Sequence, residues 1–124
     1  KQPIYVGIYQ VGPRSRALSG KRIEELAHFP DMTPEEYIAG QMVYPVDLLE
    51  KNIPGFALCE FTIDKEGVIL RPHIVRSTHP EFAEEALRIV KGMPKWAPAL
   101  VEGKSADSNY TLYITFRPQN YRAK

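Results

Sequence analysis

Cys59 and three histidines, His28, His73 and His79, offer the ingredients of an activated thiol nucleophile. The spacing argues against it. Cys59 alternates with Ala57, Phe61 and Ile63 along an apolar row, where a free cysteine behaves as a small buried hydrophobe. None of the histidines stands four residues from another, and no neighbouring thiol or carboxylate completes a zinc set. Glu84 and Glu85 suggest paired acids. As consecutive helical residues they would point about 100° apart, so they share no site and read as a solvated face. Trp96, between Pro94 and Pro98, is either a ligand platform or a lid on the core, and packing is favoured. The expectation is a chain with no catalytic residues, no metal and no cofactor.

Sixteen basic against fifteen acidic residues leave a net charge of +1, and the cations are scattered. Nucleic-acid binding, which needs a basic stripe, is therefore not expected. The 124 residues, 44% of them hydrophobic, suit a single core. One cysteine excludes an intramolecular disulfide, so stability must come from packing. No apolar run approaches the ~20 residues of a membrane span. The chain begins at Lys1, so any signal or anchor is expected upstream.

The elements that would position these residues follow from pattern. Ile4–Val11 reads as a weak strand interrupted by Gly7, and 12–21 as a connector. Ile23–Leu26 fits either a helical turn or an extended piece. Thr33-Pro34-Glu35-Glu36 is a capping box opening a helix that Gly40 ends or loosens. Val46–Lys51 suits a short second helical turn.

Phe56–Ile63 reads as a strand whose odd positions, Ala57, Cys59, Phe61 and Ile63, form an apolar face, with Glu60 and Thr62 on the other. Asp64-Lys65-Glu66-Gly67 supplies a turn, and Val68–Val75 returns, with Pro72 marking an edge or a bulge. Thr78–Glu81 reads as a second capping box before a helix over Pro80–Lys91. Its stripe is Ala83, Ala86, Leu87 and Val90. In the final strand, Asn109–Phe116, Tyr110, Leu112, Ile114 and Phe116 face one way, and Asn109, Thr111, Tyr113 and Thr115 the other. The expected fold is α+β in two layers, a three-stranded antiparallel sheet against two helices, with an extra N-terminal strand as an option. Residues 1–28 read as an extension and 29–124 as the domain.

The ordered series Phe29-Pro30, Tyr44-Pro45, Pro54-Gly55, Phe61–Asp64, Glu66-Gly67, Val75–Ser77, Glu85–Arg88, Met93–Ala99, Gly103 and Tyr110–Phe116 resembles the TonB C-terminal domain family. That family is the periplasmic end of energy transducers in Gram-negative bacteria. The resemblance implies capture of a peptide from the N-terminus of an outer-membrane TonB-dependent transporter, added as a strand beside Asn109, Tyr110, Thr111, Leu112, Tyr113, Ile114, Thr115 and Phe116. It also implies a receptor contact at Gln41, the family's glutamine three residues before Tyr-Pro, with Tyr44 nearby. An ExbB/ExbD-type inner-membrane complex would be engaged through a segment outside this chain, the anchor being an upstream helix.

The chain departs from the family at Pro72, where an apolar residue is usual, and over its first thirty residues. The outward row of the last strand lacks the lysine or proline that normally guards an edge. It is therefore covered by the N-terminal strand, paired with a partner, or used for homodimerisation. A stand-alone secreted relative with a structural or assembly role is the alternative function.

Overall fold

The computed structural model describes residues 8–13 and 16–121. Two sequence features set its frame: the 9-residue strands that alternate buried and open positions, and the helix whose apolar stripe covers them. In chain order the elements are β1 (Ile8–Pro13), α1 (Pro34–Gln41), α2 (Val46–Glu50), β2 (Gly55–Ile63), β3 (Ile69–Ser77), α3 (Pro80–Lys91), β4 (Ala99–Val101), β5 (Lys104–Ala106) and β6 (Ser108–Phe116). A 3-10 turn at Pro118–Asn120 follows. The main sheet is antiparallel and ordered β1-β6-β2-β3.

The architecture is the expected α+β sandwich, with the optional fourth strand present. The strand expected over Ile4–Val11 overlaps β1, described over Ile8–Pro13 and so running on past Val11; Ile4–Gly7 lie outside the described residues.

The β2–β3 hairpin turns as its sequence dictates. Asp64 Oδ1 accepts from the N–H groups of Glu66 and Val68 at 2.8 and 2.9 Å, and Gly67 takes φ +87°. Gly67 is doubly required, because a Cβ there would overlap the Trp96 carbonyl that packs across the turn. The second hairpin, β4–β5, turns on Glu102 and Gly103, both at positive φ, as a two-residue type I′ turn demands.

The core lies between α3 and the inner sheet face, where Ala57, Cys59, Phe61, Ile63, Leu112, Ile114 and Phe116 meet Phe82, Ala86, Ile89 and Val90. Phe82 stacks on Phe116 at 4.2 Å between ring centroids. Burying one such aromatic contributes about 2–3 kcal/mol. The α3 stripe therefore differs from the expected one. Phe82 and Ile89 are buried, while Ala83 and Leu87 lie at its margin.

The capping box of α1 forms in full, Thr33 Oγ1 accepting from Glu36 N–H and Glu36 from Thr33 N–H. The one expected at Thr78 does not. The N-cap of α3 is His79, with no side-chain cap bond. Thr78 Oγ1 instead accepts from the Phe56 N–H at 3.0 Å, joining the helix entrance to β2. Gly55 makes that approach feasible, since a Cβ there would overlap Thr78 and the Phe82 ring.

Residues expected to form a connector and an N-terminal extension take part in the same core. Ala17, Ile23 and Ala27 are buried. Residues 24–28 run extended and antiparallel to 97–100, with Leu100 N–H donating to Glu25 and Ala97 N–H to His28, both at 2.8 Å. This decides Ile23–Leu26 in favour of an extended piece.

Candidate functional site: the outer edge of β6

β6 is built as the pattern implies. Tyr110, Leu112, Ile114 and Phe116 are buried, and Asn109, Thr111 and Tyr113 are partly open on the opposite face. On one side β6 pairs with β2 along its whole length, from Ser108↔Ile63 to Phe116↔Gly55. On the other it pairs with β1, from Ile8↔Ile114 to Pro13↔Tyr110. The option in which the chain's own N-terminal strand covers this edge is thus the one the structure adopts. The β1 ladder is the poorer of the two. It is shorter and bulged between Gln10 and Gly12, and it ends in Pro13, which has no N–H to donate.

The open sheet face next to this edge carries an aromatic pair, Phe56 and Tyr113, with ring centroids 5.0 Å apart. A shallow groove continues from it towards the end of β6, lined by Pro54, Phe56, Tyr113, Thr115, Arg117 and Pro118. Phe56 was not among the expected site residues. Its place opposite Thr115 was open to reading only once the β2–β6 register was known.

Gln41 and Tyr44 part company. Gln41 is exposed at the end of α1. Tyr44 is 3% exposed, with its ring edge-on to Phe82 and Phe116 and its hydroxyl donating to the Ile53 carbonyl at 2.6 Å. Burial pushes its phenol up to about 12. Tyr44 is therefore a core strut under the loop and presents no surface to a partner.

That loop is held by a side chain expected to be solvated. Glu85 is 9% exposed. Its carboxylate accepts from the Val43 N–H at 2.7 Å and receives Arg88 in a fork, Nε at 2.8 Å and Nη2 at 2.6 Å. Arg88 Nη2 also donates to the Gln41 carbonyl at 2.7 Å. Glu85 strengthens the proton's hold on Arg88, raising the guanidinium's pKa. Residues 41–43 are so locked to α3 by charge-assisted bonds. Glu84, its neighbour, is exposed as expected.

The chemical candidates resolve by position. Cys59 is fully buried, and burial raises its thiol to about 12, far from a thiolate at neutral pH. His73 is bonded to the Arg71 carbonyl and lies 3.3 Å from Glu60, while His79 packs edge-on to Phe82. Trp96 is buried among Phe29, Phe61 and Tyr110, at 5.2, 5.8 and 4.6 Å between centroids. It is a lid on the core.

Comparison with known proteins bears on the fold. No curated protein sequence matches the chain. Among solved structures, the fold is similar to that of the TonB2 protein from Vibrio anguillarum. The TM-score is 0.52 at 25% identity, over 76% of this chain and 83% of that one. The family model for the Gram-negative bacterial TonB protein C-terminal domain matches residues 40–118. Domains of this family are periplasmic and serve energy transduction without catalysis. The match takes in α2, β2, β3, α3, β4, β5 and β6 and leaves out β1. The chain belongs to the TonB C-terminal domain family.

Proposed function

We propose that the chain captures an extended peptide near the N-terminus of an outer-membrane TonB-dependent transporter, taking it as an added strand along β6, with Gln41 at the receptor contact. One observation carries this reading. Within the family-matched residues 40–118, β6 pairs with β2 alone, and only β1, outside that match, lies along its other side. An open side offers unpaired N–H and C=O groups that an extended peptide satisfies, and flanking side chains supply specificity. Phe56 and Tyr113 are suited to that second task, being aromatic and partly exposed beside the edge. The rest of the transducer is proposed on the family's pattern: an upstream helix in the inner membrane and an upstream contact with an ExbB/ExbD-type complex.

The test is titration of labelled chain with transporter N-terminal peptides. Amide shifts concentrated in Asn109–Phe116 support the reading; shifts confined to α1 and α3 overturn it. A second reading has its own observation. Because β1 already fills the edge, a structural or dimer-forming role without energy transduction fits equally an exchange of β1 between two copies. Peptide-independent dimerisation that vanishes when β1 is disrupted would favour it.

A further inference from the structure

We propose that β1 is a resident placeholder. The chain fills its own peptide-capturing edge with Ile8–Pro13, and a partner's extended segment gains β6 only by displacing it. The inference rests on the proposed capture at β6 and goes beyond it by stating what the incoming peptide competes with.

Three features of the sheet carry it. First, β1 lies outside the family-matched residues and runs antiparallel along the flank of β6 that those residues leave unpaired. Second, β1 is held more weakly than a permanent strand would be. It pairs with β6 alone, whereas β3, the other outer strand, pairs with β2 and also packs against α3. Its ladder is broken by the bulge at Gln10/Gly12 and closed by a proline. Third, losing β1 leaves the core strands paired. Tyr110, Leu112 and Ile114 stay in register with Phe61, Cys59 and Ala57 of β2. β6 thus passes from one outer partner to another without unpairing from the domain.

A placeholder of this kind serves two ends. It shields backbone groups that would otherwise recruit any passing strand. It also makes capture conditional, because the apparent affinity falls by the fraction of chains in which β1 is released. An intramolecular strand acts at an effective concentration in the mM range for short connections. A weak ladder can therefore still impose a measurable penalty on a peptide present at µM levels.

The experiment uses the full chain in two forms, each probed with the transporter peptides and with a synthetic peptide of the chain's own segment, Ile4–Pro13. Tyr9→Cys with Tyr113→Cys joins two residues that are Cα partners across the ladder. Cys59, fully buried, takes no part. Oxidised, this chain should bind transporter peptide at least tenfold more weakly than the same chain reduced. Tyr9→Pro with Gln10→Pro removes at least one ladder donor, since consecutive strand residues point their N–H groups to opposite sides. This chain should bind both peptides at least tenfold more tightly than the parent, with shifts along β6.

Peptide binding at β6 that is unchanged by the tether and by the prolines overturns the placeholder. A different pattern tells against the capture reading instead: the Ile4–Pro13 peptide binds β6 of the proline variant while transporter peptides bind neither form. If neither peptide reaches β6 in any form, both proposals fall.

Discussion

The β6-β2-β3 part of the sheet has two flanks, and they are protected in different ways. β3 is guarded by its own covalent structure. Pro72 withholds a donor, and Arg71 sits at φ +53°. The ladder to β2 slips twice: one residue is extra on β3 between Leu70 and His73, and Val75 is extra between Ile74 and Arg76. The second slip turns Val75 out of the sheet, 54% exposed. No straight strand can lie along such an edge. β6 has none of these devices. It is straight, uncharged and in unbroken register with β2, and what protects it is a separate segment. An edge guarded by sequence is closed for good, whereas one guarded by another segment can be opened. The proposed capture at β6 draws on this difference.

The comparison can be broken by experiment, and the largest effect belongs to β6. Thr111→Pro places a proline in a strand paired on both sides. It should lower unfolding free energy by roughly 3 kcal/mol or more in urea titration. A loss below about 1 kcal/mol would mean that β6 is not a central strand.

Glu85→Ala is the control that touches neither edge. It strands the Val43 N–H and unties Arg88 from residues 41–43, at a cost of about 2 kcal/mol. Glu84→Ala should change stability by no more than about 0.5 kcal/mol. Equal losses from the two would return Glu85 to the solvated face.

Pro72→Val tests the guard on β3. Stability should move by less than about 1 kcal/mol, but sedimentation should reveal concentration-dependent association absent from the parent chain. A variant that associates no more than its parent would show that the two bulges suffice alone.

The smallest expected effect is none at all. Cys59 lies between Ile74 of β3 and Leu112 of β6. Releasing β1 with Tyr9→Pro and Gln10→Pro should leave its slow alkylation rate unchanged. A marked acceleration would mean that losing β1 loosens the whole sheet.

Much of this was legible because it is local. The turn at Asp64–Gly67, the capping box at Thr33–Glu36 and the alternation of Asn109–Phe116 each depend on residues within a few positions of one another. The errors came where two distant segments meet. Thr78 has the sequence of an N-cap, but the Phe56 N–H, brought close by Gly55, claims its hydroxyl. Glu85 looks like Glu84 until Val43 and Arg88 are placed around it. Tyr44 looked like a contact residue because the resemblance carried it there, while its burial depends on Phe82 and Phe116, far along the chain. The candidate edge was implied by the resemblance and supported by its unguarded pattern, and its occupant was one of three options left open. Nothing in Ile8–Pro13 alone specifies which neighbour it takes.

The lone tryptophan has one more use. Trp96 is enclosed by Phe29, Phe61 and Tyr110, away from solvent. Its fluorescence should be blue-shifted in the folded chain and should accept excitation from Tyr110, 4.6 Å away. Since Tyr110 belongs to β6 but faces the core, strand exchange on the outer edge should leave that emission steady, and unfolding should quench and redden it. The molecule carries an internal optical gauge that separates loss of the fold from a change of strand.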